Sequence, residues 1–189
     1  RPRPDARAYT ALLKVAYQAA KKADPSCVVV LGGLQMNGLL ANPWSEVKVP
    51  NFLEDLYQAG ARPYFDICNT HPYVLPAEGA ARMMEMTQDT LALMARHGDA
   101  AKPLWITEAG CGAATVEDER AQARLLEETF ELAGREPRIQ RVFWFLLRDL
   151  EKDVLGPEST MGLFKTNGGA KPALEAFKRG QPSGKPTAR

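Results

Sequence analysis

The sequence predicts an α/β fold built on a parallel sheet. Three observations carry that prediction. Short runs rich in β-branched and aromatic residues occur at 27–33, 64–73, 104–110 and 141–149. Amphipathic helical stretches lie before, between and after these runs, and no hairpin signal joins one run to the next. Strands separated by helices must run parallel, because an antiparallel return needs only a tight turn.

Taken in order, residues 5–23 predict a helix, with Tyr9, Leu12, Leu13, Ala16, Tyr17 and Ala20 on one apolar stripe. "DPSC" breaks it, and "CVVVLGG" (27–33) is a continuous run of the kind found in strands covered on both faces. A loop, "LQMNGLLANPWSEVKVP", follows. Asn51 is placed to cap a short helix carrying Phe52, Leu53, Leu56 and Tyr57, with Gly60 to close it. "YFDICNTHPY" (64–73) is the second strand. Residues 79–97 form the next helix, with Met84, Thr87, Leu91 and Met94 in register and Gly98 as its stop.

"LWITEAG" is the third strand, introduced by Lys102 and Pro103. Alternation places Leu104, Ile106 and Glu108 on one face, with Trp105 and Thr107 on the other. Thr115 precedes a helix reaching about residue 134, and Glu117, Asp118 and Glu119 suit its N-terminal dipole. "RVFWFLLRD" (141–149) is the fourth strand, and Pro172 opens a last helix holding Leu174 and Phe177. Residues 180–189, "GQPSGKPTAR", predict a disordered tail, leaving 1–179 as the folded unit.

At 189 residues, 45% hydrophobic and 25% charged, the make-up is that of one globular domain. With 24 basic and 23 acidic residues and no block of like charge, nothing points to nucleic acid or an anionic membrane surface. No apolar run approaches bilayer length. Cys27, Cys68 and Cys111, odd in number and without CxxC spacing, give little support to a zinc site or a disulfide framework. The chain starts without Met, directly into a helical pattern, and reads as part of a longer protein.

Parallel strands of this kind fit an open doubly wound sheet or part of an eight-stranded barrel. The turn after the first strand, "VLGGLQMNG", holds neither GxGxxG nor GxxxxGK, which disfavours a nucleotide-binding sheet. Three strands finish on polar or aromatic groups: Asn69 to Tyr73, Thr107-Glu108, and Arg148-Asp149 after Trp144. Barrels gather their catalytic residues from the C-terminal ends of several strands, so the barrel is favoured. Glu108 stands out. A carboxylate closing an apolar run is either a solvated strand end or a group held there for chemistry.

"FDICNTHPY", then "PLWITEAG", then "VFWFLLRD", with "GLF" and "KPALEAFK" closing the chain, resembles strands six to eight and the last helix of clan A glycoside hydrolases. The similarity is greatest to the branch around β-xylosidases and family thirty-nine. It extends from "DARAYTALLKVAYQAAKKADP", which matches helix four, and so implies strands five to eight of a (β/α)8 barrel. The resemblance implies that Glu108 is the nucleophile of a retaining glycosidase. His71 and Tyr73 match the position where that clan places a His or aromatic residue against the nucleophile or sugar hydroxyls. Trp144 matches the Trp that floors the subsite beside the scissile bond. Asn69 shares the strand face of His71 and Tyr73 and is placed to bind a sugar hydroxyl or to cap a helix. Asn37 is a substrate contact or a turn former, and Trp44 a sugar platform or an exposed loop aromatic. Asp149 is expected in a structural salt bridge with Arg148 or another Arg, and Met83, Met84 and Met86 in helix packing or at the surface. The resemblance implies no metal or organic cofactor.

One departure matters. The family's acid/base Glu sits in an Asn-Glu-Pro motif at the end of strand four, and this chain contains no such motif. Glu46 and Glu78 lie in loops outside that pattern. Half a barrel would expose two strand edges and an apolar interior, so the expected partners are a carbohydrate substrate and either an N-terminal half-barrel of a parent protein or a second copy. The implied function is retaining hydrolysis of O-glycosidic bonds in an oligo- or polysaccharide; the compartment is open, although polysaccharide substrates usually lie outside the cytoplasm. The alternative is a non-catalytic carbohydrate-binding or assembly module derived from such a barrel. A lyase or aldolase half-barrel has less support, since no strand ends in a Schiff-base Lys.

Overall fold

The computed structural model describes residues 4–35, 49–151 and 159–180. Helix α1 (Ala6–Ala23) begins where the backbone N–H groups of Arg7 and Ala8 donate to the Asp5 carboxylate at 2.9 and 3.0 Å. Strand β1 (Leu34–Gln35), helix α2 (Val49–Gln58) and a 3-10 turn at Arg62–Tyr64 follow. Then strands and helices alternate: β2 (Cys68–His71), α3 (Gly79–Arg96), β3 (Leu104–Ala109), α4 (Val116–Gly134), β4 (Ile139–Trp144) and α5 (Pro172–Gly180). The four strands form one sheet in the order β1-β2-β3-β4, every pair parallel. The parallel α/β fold expected from the sequence is therefore the one observed.

The helices bury one side of this sheet. Leu13, Leu31, Leu53, Leu56, Leu91, Met94 and Leu104 form one cluster, and Met83, Met86, Ile106, Ala109, Leu125, Leu126, Trp144, Ala173 and Ala176 form another. Each large aliphatic side chain sealed in this way contributes roughly 2 kcal/mol of hydrophobic transfer energy. The opposite side of β3 and β4 is open. Trp105 and Phe143 meet there with ring centroids 6.1 Å apart, and Phe143 is 47% exposed.

Several boundaries differ from the sequence expectation. The run 27–33 is not a continuous covered strand: it makes a single bridge, Val30 to Ile67, before β1, and Val28 is 60% exposed. It lies at the sheet edge, tied to Asp66 and Ile67 just before β2 and to α1 through Tyr9 and Lys21. β2 stops at His71 because Pro72 has no N–H for the ladder, and its start is shortened by the turn at Pro63. Helix α2 starts at Val49, ahead of Asn51, which lies inside the helix rather than at its cap. The tail expected at 180–189 lies, from residue 181, outside the described residues, and Gly180 still belongs to α5. Other signals hold. Gly60 and Gly98 take positive φ where α2 and α3 end, and Thr115 forms a reciprocal capping box with Asp118. No helix among the described residues is long and apolar enough to cross a membrane.

The segment after β4 is fixed by a buried ion pair. Lys171 Nζ, whose side chain is 1% exposed, donates to Asp149 Oδ1 at 2.8 Å and to the Thr160 carbonyl at 2.8 Å. The Gly162 N–H also donates to Asp149 Oδ1, at 2.7 Å. Asp149 thus pairs with a lysine 22 residues away and not with an arginine; the Arg148 guanidinium instead donates to the Thr166 carbonyl. Removing one member of such a pair strands the other charge in a dry site. Asp149→Ala is expected to cost about 3 kcal/mol in urea unfolding, and the double variant Asp149→Leu/Lys171→Met to recover most of that loss. A single-variant loss below about 1 kcal/mol would contradict a buried clamp.

Candidate active site

Glu108 owes its direction to an irregularity in β3. Ile106 pairs with Val142 and Ala109 with Trp144, so three steps along β3 oppose two along β4. The extra residue is a β-bulge, a device that bends a strand and re-aims a side chain. Strict alternation would have sent Glu108 the way of Leu104 and Ile106, which are fully buried beneath the helices. Instead both Thr107 and Glu108 reach the end of β2. The glycine after Glu108 has its own cause. A Cβ on Gly110 would stand 2.4 Å from the Phe145 carbonyl oxygen, while the Phe145 N–H donates to the Ala109 carbonyl at 2.8 Å. The two strand ends can close this tightly only with no side chain at 110.

The carboxylate meets two groups from β2. Tyr73 Oη donates to Glu108 Oε2 at 2.7 Å, and His71 Nδ1 lies 3.4 Å from the same oxygen. Glu108 Oε1 carries no such contact among the described residues. The Glu108 side chain is 37% exposed and that of His71 16%, so the carboxylate is presented to the outside from a half-buried setting. Asn69, a buried residue, accepts through Oδ1 from the Thr107 backbone N–H at 3.2 Å and from the Thr107 hydroxyl at 2.9 Å. Thr107 Oγ1 in turn lies 2.8 Å from His71 Nε2. The Tyr73 ring stands edge-on to His71 and to Phe145, with centroids 6.4 and 6.2 Å away.

Glu108, His71, Tyr73 and Asn69, all singled out in the sequence, therefore come together. Trp144 does not join them. Alternation along β4 turns its ring into the cluster beneath the helices, where it is 9% exposed and its Nε1 has no hydrogen-bond partner among the described residues. The aromatic residue from the end of β4 that touches this group is Phe145. Asn37, Trp44 and Glu46 lie outside the described residues. Glu78 braces the loop before α3 by accepting from the Leu75 N–H at 2.6 Å. Thr107 and Phe145 escaped the sequence reading. The bulge hides the first, and the second stands beside the more conspicuous Trp144.

Cys111, three residues past Glu108, is buried, and burial pushes its thiol up to about 12, so it offers no thiolate at neutral pH. Among the described residues no three His, Cys, Asp or Glu side chains are grouped to hold a metal ion. A cavity of about 510 Å³ between the start of α1 and the end of α2 shares no residue with the Glu108 cluster. What this arrangement can do is orient one carboxylate through Oε2 and leave Oε1 without a contact among the described residues. That is the requirement for a nucleophile.

A glycosyl hydrolase catalytic core family matches residues 4–177, and the chain belongs to that family. Among solved structures it is similar to the GH128 (subgroup II) endo-beta-1,3-glucanase of Sorangium cellulosum, at 19% identity and TM-score 0.66 over 95% of this chain and 64% of that one. It is also similar to the GH39 beta-xylosidase of Caulobacter crescentus, at 23% identity and TM-score 0.58 over 92% of this chain and 37% of that one. A third is xylanase 10B of Thermotoga maritima, at 19% identity and TM-score 0.57 over 89% and 51%. These likenesses establish a shared TIM-barrel-type fold, of which this chain spans about one to two thirds of the neighbours' length. The family match bears out the glycoside hydrolase resemblance, and the structural likenesses bear out its barrel-type fold. No curated protein matches the chain.

Burial holds the His71 imidazole below the 6.5 of an ordinary histidine, and the Glu108 charge offsets only part of that effect. The facing groups are Glu108 and Tyr73, with Thr107 on the far nitrogen. Below about pH 6.5 the unfolded chain takes up a proton that folded His71 resists, so this residue's contribution to stability is present above that pH and is lost as pH falls through the folded value. An NMR titration is expected to give a His71 midpoint under 6.5, with unfolding free energy declining from pH 7 downward; a midpoint above 6.5 would reverse the sign.

Proposed function

We propose that this chain supplies the nucleophile-bearing half of a retaining glycoside hydrolase acting on an oligo- or polysaccharide. The observation that carries this reading is the Glu108 carboxylate, held at a strand's C-terminal end by Tyr73 at 2.7 Å with its second oxygen open. Glu108 Oε1 attacks the anomeric carbon as the bond to the leaving oxygen breaks. That oxygen takes a proton from a carboxylic acid that the Glu108 cluster does not contain. Water, deprotonated by the same acid's carboxylate, then attacks the anomeric carbon and releases Glu108. Retention requires the two carboxyl groups about 5–5.5 Å apart. His71, Tyr73 and Asn69 line the cleft, and Asn37, outside the described residues, is a further substrate contact. The Phe145 ring takes the sugar-facing role that the resemblance assigns to Trp144, since apolar C–H faces of sugars pack on aromatic rings.

The second carboxyl group implies a partner. The sheet ends at the outer edges of β1 and β4, which pair with no further strand among the described residues, and the face bearing Trp105 and Phe143 is open. An N-terminal half-barrel of a longer protein fits that face, with self-association of this chain as the other way of covering it. The glucanase, xylanase and xylosidase neighbours make β-linked glucan and xylan the first substrates to assay.

Trapping with a 2-deoxy-2-fluoro glycoside, followed by peptide mapping of the intact protein, is expected to place the label on Glu108. Glu108→Gln is expected to lower kcat by about 10⁴-fold or more with thermal melting unchanged. A label on any other residue sinks the assignment. Sugar binding without turnover in the unmodified protein would instead favour a non-catalytic carbohydrate module.

A further inference from the structure

We infer that Thr107, with Asn69 behind it, is a positioning residue that sets the tautomer of His71, keeping the imidazole proton on Nε2 and leaving Nδ1 bare toward Glu108. The deduction runs along a chain of donors and acceptors. The Thr107 backbone N–H can only donate, and it points at Asn69 Oδ1 at 3.2 Å, which fixes which end of the amide faces Thr107. The Thr107 hydroxyl is 2.9 Å from that same Oδ1, so its proton is committed there. Thr107 Oγ1 then has only lone pairs to offer His71 Nε2 at 2.8 Å, and Nε2 must be the donor. A neutral imidazole with its proton on Nε2 presents a lone pair at Nδ1, here 3.4 Å from Glu108 Oε2.

Two further features hold this arrangement. Asn69 is 5% exposed, so water does not compete for its oxygen. The volume a side chain would need at Gly33 is filled by the His71 ring, since a Cβ there would fall 2.0 Å from Nε2. The ring is therefore boxed between the chain before β1 and the end of β3.

The consequence falls on Glu108 Oε2, which already accepts from Tyr73. In the other neutral tautomer an Nδ1–H would add a second donor to the same carboxylate oxygen, damping its nucleophilicity. The relay withholds that proton while His71 is neutral. This catalytic consequence rests on the reading of Glu108 as nucleophile; the tautomer itself does not.

The test is ¹⁵N NMR of the full chain at pH 8. The chain has two histidines, so His71 is assigned by the loss of its signals in His71→Asn, and His97, bonded through Nε2 to Glu54, serves as the internal control. The expected spectrum has His71 Nε2 protonated and Nδ1 unprotonated. Thr107→Val is expected to shift the proton toward Nδ1 and to lower kcat about tenfold, and Thr107→Ser to restore both. If native His97 signals are lost in Thr107→Val, Thr107→Ala takes its place. A wild-type His71 protonated on Nδ1, or a tautomer indifferent to removal of the hydroxyl, overturns the inference. An Nε2 tautomer found alongside full turnover in Glu108→Gln would overturn the glycosidase reading alone.

Discussion

One surplus residue in β3 organises this site. The bulge between Ile106 and Ala109 breaks the two-residue rhythm that keeps Leu104 and Ile106 beneath the helices, and the break comes where the carboxylate must change sides. Its geometry depends in turn on Gly110, whose bare backbone lets the end of β3 close on Phe145. Had the strand kept its alternation, Glu108 would face an apolar core in which an ionised carboxylate costs several kcal/mol. The sheet accepts a local defect in its ladder, and the charge gains a polar setting made by β2.

That setting is built from short-range contacts between neighbouring parallel strands. Asn69, His71 and Tyr73 sit on and just after β2, Thr107 and Glu108 on β3, and Phe145 just past β4. Parallel order brings all three C-terminal ends to one rim, so nothing has to cross the sheet to join the cluster. Water exclusion is graded along it, from buried Asn69 through half-buried His71 to the partly open Glu108. A hydrogen bond is strongest where water cannot compete, so the contacts of Thr107 with buried Asn69 are the best protected in the cluster.

Much of this was legible in the sequence, and the failures share a cause. Helix starts at Asp5 and Thr115 and ends at Gly60 and Gly98 are local chemistry, and they were readable as such. Glu108, His71, Tyr73 and Asn69 were readable because strand-end polar residues are conspicuous against apolar runs. What escaped depends on partners distant in sequence. The run 27–33 has the composition of a covered strand, but at the sheet edge its ladder pairing is reduced to one bridge, Val30 to Ile67, with side chains of α1 and Asp66 meeting other backbone groups. Trp144 turns under the helices and Phe145 meets Tyr73 because alternation and the turn after β4 decide where two adjacent rings point. Asp149 finds Lys171 rather than an arginine because the fold, and not proximity in sequence, brings them together.

Gly33 carries a lesson of a different kind. Its backbone has no positive φ, so conformational freedom does not explain why a glycine is there. The reason is room: any larger residue would evict an aromatic ring that belongs to a strand 38 positions further on. Substitution at this inconspicuous position is therefore limited by the seat of a ring that lies beside a carboxylate Gly33 never touches, and a library varied only at the rim residues would miss that steric constraint.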